Sequence, residues 1–134
     1  MKLFIVLCIC IAAIQANKLA EKQQENVKTY KTDCQTASGV SGDLVEKTNN
    51  GDFSGDVKLK EYFFCLSKKL GFLNEAGDFQ MTAINDKITA NHGQETAREV
   101  VAPCTQKKAS SGPETSINMA KCFYEKSKKH ITLA

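Results

Sequence analysis

Apolar residues recur three or four positions apart along most of this chain, the spacing that turns one face of a helix inward. Leu59, Tyr62, Phe63, Leu66 and Leu70 make the clearest stripe. Asp56 stands where an N-cap belongs and Gly71 where a left-handed C′ residue belongs, so a helix is expected between them. Phe64 and Phe72 widen its apolar face. Phe79, Met81, Ile84 and Ile88 predict a following helix that stops around Asn91-His92-Gly93. Another is expected from about Glu95 to Lys108, with Ala97, Val100, Val101 and Cys104 inward. Pro103 should kink it or free the carbonyl four residues back. Pro113 suits the first turn of a last helix carrying Ile117, Ala120, Cys122 or Phe123, and Tyr124. The tail, His130 to Ala134, is apolar enough to dock back onto the body.

Upstream, Leu19, Val27, Tyr30, Cys34 and Ala37 predict a helix with a very polar start, ended by Gly39. Ser41-Gly42-Asp43 can cap a short helix carrying Leu44 and Val45. Asn49-Asn50-Gly51-Asp52 and Asn74-Glu75-Ala76-Gly77-Asp78 are turn clusters. An Asn-Gly pair often signals a hairpin, but no alternating strand flanks this one, so a loop is expected. No period-two pattern and no internal repeat occurs. The fold class is therefore all-α, a bundle of about six short helices.

The first residues read differently. Lys2 is followed by an unbroken apolar run from Leu3 to Ile14, and Ala16 offers a small residue before a cut. The run is too short to span a bilayer, which fits a cleaved secretory signal at residues 1–16 better than an anchor. Cleavage leaves Asn17 to Ala134 as one domain and lowers the formal charge from +3 to +2. That near-neutral balance, with no basic stripe interleaved with aromatics, argues against nucleic acid. Lys126, Lys128 and Lys129 read as a solvated helix end. No Asn-x-Ser/Thr acceptor for glycosylation occurs.

Secretion also sets the cysteine arithmetic. Of six cysteines, Cys8 and Cys10 leave with the leader, and Cys34, Cys65, Cys104 and Cys122 remain. A modest core in an oxidising compartment favours two disulfides, and four cysteines allow three pairings. Pairing Cys34 with Cys65 would tie the first helix to the third, and Cys104 with Cys122 the fifth to the sixth. Each closure would contribute on the order of 3–4 kcal/mol. Zinc is disfavoured because no two cysteines are close in sequence. Catalysis is disfavoured too. Neither histidine adjoins a cysteine as in a secreted phospholipase, and paired cysteines leave no thiol nucleophile. A saposin-like lipid-surface or antimicrobial protein would need a basic amphipathic face and a different cysteine spacing. No metal and no cofactor is expected.

The order of local motifs resembles the insect odorant-binding proteins of the pheromone-binding (PBP/GOBP) type. Gly39-Val40-Ser41 follows the first retained cysteine, and Gly51-Asp52-Phe53 precedes the third helix. The run Lys60-Glu61-Tyr62-Phe63-Phe64-Cys65-Leu66-Ser67-Lys68-Lys69-Leu70-Gly71-Phe72 is the strongest match, with Asn74-Glu75-Ala76-Gly77 after it. Six-cysteine members carry two further cysteines where this chain has Glu61 and Pro113. Both partners of one bridge are missing together, which resembles the four-cysteine, "minus-C" branch, with its beetle haemolymph carriers as well as antennal proteins. The resemblance implies the pairing Cys34–Cys65 and Cys104–Cys122, and a secreted, non-enzymatic carrier.

The resemblance further implies a small hydrophobic ligand enclosed between helices. Residues of the type such a site needs are Leu59, Tyr62, Phe63, Leu66 and Leu70, Met81, Ile84 and Ile88, Val100 and Val101, and Ile117, Met119 and Phe123. The same side chains are also what folding the bundle requires. The Tyr62 and Tyr124 hydroxyls are candidates to orient a polar ligand head. A membrane receptor is an expected further partner, and a monomer or weak homodimer the expected assembly. His92 and His130 titrate in the range of an acid-triggered release, though scattered histidines are more often ordinary surface residues. A haemolymph or glandular carrier is the alternative to a sensory one.

Overall fold

Three of the helices begin where a side chain accepts a backbone N–H that the helix itself leaves unpaired. Ser41 Oγ accepts from Leu44, Asp56 Oδ1 from Leu59 and Ser111 Oγ from Glu114. The computed structural model describes residues 26–133; the predicted leader and residues 17–25 lie outside these. Six helices occur among the described residues: α1 (26–38), α2 (Gly42–Thr48), α3 (Val57–Lys69), α4 (Met81–His92), α5 (Gln94–Cys104) and α6 (Gly112–Lys126). The compact unit that begins at Lys31 holds the core discussed below.

Helix α3 ends as its sequence predicts. Gly71 adopts φ +77°, a left-handed value that favours glycine, and Phe72 donates back to the Ser67 carbonyl at 2.8 Å. Two boundaries differ from expectation. Phe79 is not helical: it pairs with Leu73 in an isolated antiparallel bridge, around a turn closed by Asp78 N–H on Asn74 Oδ1 at 2.9 Å. The fourth helix therefore starts at Met81. The fifth stops at Cys104 rather than near Lys108. Pro103 has no N–H to continue the ladder, and Thr105 Oγ1 caps the Val101 carbonyl at 2.6 Å.

Helix α3 packs chiefly on α6, α4 on α5, and α5 on α6. Cys34–Cys65 fixes α1 to α3, and Cys104–Cys122 fixes α5 to α6, the pairing expected. The tail docks as expected: Ile131 is buried, and its N–H donates to Ser127 Oγ at 2.9 Å.

Gly51, just past α2, has φ +85°, and a Cβ there would lie 2.6 Å from the Tyr124 ring. Gly55, four residues on, has open space around it. Gly51→Ala should therefore cost about 1–3 kcal/mol from backbone strain and overpacking. Gly55→Ala should stay within about 0.5 kcal/mol of wild type. Urea unfolding of the two variants measures the difference, and equal midpoints would contradict the tight seat of Tyr124.

Candidate functional site

The stripe residues of α3 converge with those of three other helices. Leu59, Tyr62, Phe63, Leu66 and Leu70 from α3 are buried, as are Ile84 and Ile88 from α4. Val100 and Val101 from α5 and Ile117, Met119 and Phe123 from α6 are buried as well. Met81 alone among the expected contact residues lies outside this interior, at 45% exposure on the first position of α4. It shares a face with Ile84 and Ile88 but stands at the open N-terminal end of the helix.

Polarity inside is sparse. Among the described residues the buried polar groups are Ser, Thr and Tyr side chains; no Lys, Arg, His, Asp or Glu is buried. Most of these hydroxyls are locally satisfied. Ser116 donates to the Gly112 carbonyl at 2.9 Å, Ser127 to Phe123 at 2.7 Å and Thr48 to Val45 at 2.5 Å. Among the described residues two buried side-chain oxygens have no partner, Tyr62 Oη and Ser67 Oγ. An unpaired buried hydroxyl costs about 1–3 kcal/mol. Burial also pushes the Tyr62 phenol up to about 12, so it stays neutral at any physiological pH.

An aromatic ladder leads outward from Tyr62. Its ring meets Phe63 edge-on at 5.4 Å; Phe63 meets Phe53 at 6.0 Å; Phe53 meets Tyr124 at 6.2 Å. Tyr124 stacks on His130 at 4.8 Å. The His130 Nδ1 lies 2.9 Å from the Tyr124 carbonyl, which can only accept, so that contact requires a proton on Nδ1. His130 also holds φ +52°, a strained value for a non-glycine. Phe53 is a member that periodicity misses, since it sits in the loop before α3 with no repeating neighbours. Its only sequence signal is its place after the Gly51 turn. Tyr124 presents its ring to this ladder.

A surface cleft of ≈ 270 Å³ lies elsewhere, lined by His92, Gly93, Gln94, Glu95, Thr96, Glu99, Lys128 and Lys129. Charged side chains bridge its rim. Lys128 spans Glu95 at 3.4 Å and Glu99 at 3.7 Å, and Lys129 donates to the His92 carbonyl at 3.3 Å. None of the expected ligand-contact residues borders it. Burial, and secondarily the Lys129 charge, holds His92 below its ordinary imidazole value. No group of three or more His, Cys, Asp or Glu side chains suited to a metal occurs among the described residues. No helix among them is long and apolar enough to cross a membrane.

Comparison with known proteins gives a consistent picture. The model of the PBP/GOBP family matches residues 16–126. The chain is similar to the B1 protein of Tenebrio molitor, 29% identical over 115 residues, covering 85% of this chain and 86% of that one. Among solved structures it is similar to the THP12 carrier protein from yellow meal worm, with TM-score 0.56 and 36% identity over 66% of this chain and 82% of that one. It is also similar to the fatty acid binding protein OBP56a from the oral disk of the blowfly Phormia regina, with TM-score 0.62 and 25% identity over 83% and 96% of the two chains.

The His92 shift carries a sign that can be checked. Its folded value lies below the unfolded one, so protonation as pH falls from about 6.5 favours the unfolded chain. Stability from this group is present above that pH and lost below it. Between pH 7.5 and pH 5 the wild type should lose more thermal stability than His92→Gln. Identical losses would show that His92 titrates freely.

Proposed function

The chain belongs to the PBP/GOBP family, and from that premise we propose that it is a secreted, non-enzymatic carrier of small hydrophobic molecules. One observation supports the reading above the rest: α3, α4, α5 and α6 turn aromatic, aliphatic and methionine side chains into an interior that, among the described residues, holds no buried charge. Such walls suit an apolar guest, and they give no acid, base or nucleophile to act on it. Burying a ligand of some fifteen carbons would supply several kcal/mol at roughly 25 cal/mol per Å². That suffices for micromolar affinity after ordering costs.

The proposed contact residues are the buried members of the four stripes, with α3 and α6 contributing most. Secretion is supported by the leader expected at residues 1–16 together with the two disulfides, which persist in oxidising compartments. Glu61 and Pro113, at the two positions taken for the missing bridge, support a reading as a four-cysteine member. A protein of meal worm named as a carrier, alongside that cysteine pattern, favours a body-fluid or glandular carrier over a strictly sensory one. The name of the blowfly relative makes lipidic chains reasonable first guests to try. We take the working unit to be a monomer or weak homodimer that can present its guest to a membrane receptor.

Purified protein beginning at Asn17 should bind N-phenyl-1-naphthylamine with micromolar affinity, read as a blue-shifted rise in fluorescence. Medium-chain aliphatic competitors should displace it. Absence of any binding by a folded, fully disulfide-bonded sample would refute the carrier reading. Ile117→Asp, which sets a carboxylate at a buried α6 position, should abolish the signal or the fold; the milder Met119→Ala should weaken it severalfold while far-UV dichroism stays helical.

A further inference from the structure

The least explained atom in the interior is the Tyr62 hydroxyl. Tyr62 is 1% exposed, and its ring meets Phe63 edge-on. A phenylalanine would fill the same space with no oxygen to desolvate. Every other buried hydroxyl whose partner is named above turns back onto a nearby carbonyl of its own helix, which a tyrosine on a rigid ring cannot do. Leu59 and Leu66 flank Tyr62 at i−3 and i+4, so its ring stands on the same inward face as the proposed contact residues. Ser67, whose Oγ is likewise unpaired, lies five residues on, roughly 140° around the helix from Tyr62, between Phe63 and Leu70.

We propose that Tyr62 is the specificity-determining residue of the interior, its hydroxyl pairing with a single uncharged polar group on an otherwise apolar guest: an alcohol, aldehyde, ketone or ester. This rests on the carrier reading above and adds the head-group class to it. A site that offers one hydrogen bond leaves that bond unmade with a pure hydrocarbon, and so discriminates against it. Discrimination against a carboxylate has a separate cause. No Lys, Arg or His is buried among the described residues, and an ion without a buried counter-charge stays in water. The neutral phenol can donate to a carbonyl or accept from a hydroxyl, which is why the class is defined by one polar atom and not by one functional group.

The test uses N-phenyl-1-naphthylamine as reporter, with decane, 1-decanol, 2-decanone and decanoate as competitors, on wild type and Tyr62→Phe. In wild type, 1-decanol and 2-decanone should displace the reporter several-fold better than decane or decanoate. In Tyr62→Phe that preference should shrink about three- to tenfold, with reporter and decane affinities unchanged. Loss of affinity for all four alike, or a preference that survives the substitution, overturns the assignment while leaving the carrier reading intact. Failure of wild type to bind the reporter or any competitor overturns both. A second readout needs no ligand. Removing an unpaired hydroxyl should raise the melting temperature by a few degrees, and a fall of that size would show that Tyr62 already has a partner in the free protein.

Discussion

The inward face of α3 is the surface that the rest of this structure is arranged to keep from water. Leu59, Tyr62, Phe63 and Leu66 lie on one helix of thirteen residues with Leu70 at its C-cap, all buried. At about 1.5–3 kcal/mol per large apolar side chain, that one face supplies on the order of 10 kcal/mol, as much as a domain's whole net stability. Helix α6 provides the main cover for it. The disulfides then act at a distance from the seam itself. One fixes α3 to α1 and the other fixes α6 to α5, so each partner of the seam is stapled to a different neighbour.

The seam between α3 and α6 has no covalent link of its own; an ion pair and a close ring contact cross it. Lys60, next to Glu61, pairs with Glu114, next to Pro113, at 2.7 Å. The Phe64 ring comes so close to Gly112 that a Cβ there would lie 2.4 Å from it. A partly exposed ion pair contributes less than about 1 kcal/mol, well below a disulfide. Packing and the buried stripe therefore carry most of this seam.

Local signals made much of this legible in the sequence. Asp56, Ser41 and Gly71 act on backbone groups within four residues of themselves, so their roles follow from spacing alone. The α3 stripe was legible for the same reason. What depends on distant partners was not. Phe79 has helical spacing to its successors, yet Leu73 draws it into a bridge. Pro103 suggested a kink within a longer helix; with Thr105 capping behind it, the helix ends instead. Phe53 and His130 enter the aromatic ladder through loop and tail geometry that no period encodes. Periodicity also treats Met81 like Ile84, although only the second has reached the core. The site was legible as a set of residue types. The unpaired Tyr62 oxygen was not, because pairing depends on what surrounds a side chain.

On the carrier reading, the guest lies in the interior between α3 and α6 and not in the cleft near His92. Isotope-filtered nuclear Overhauser spectra of methyl-labelled protein with bound 1-decanol test this directly. The account predicts contacts from the alkyl chain to the methyls of Leu59, Leu66, Ile117 and Met119. Contacts confined to residues around Thr96 in the cleft, or to the exposed Val57 and Met81 side chains, would contradict it.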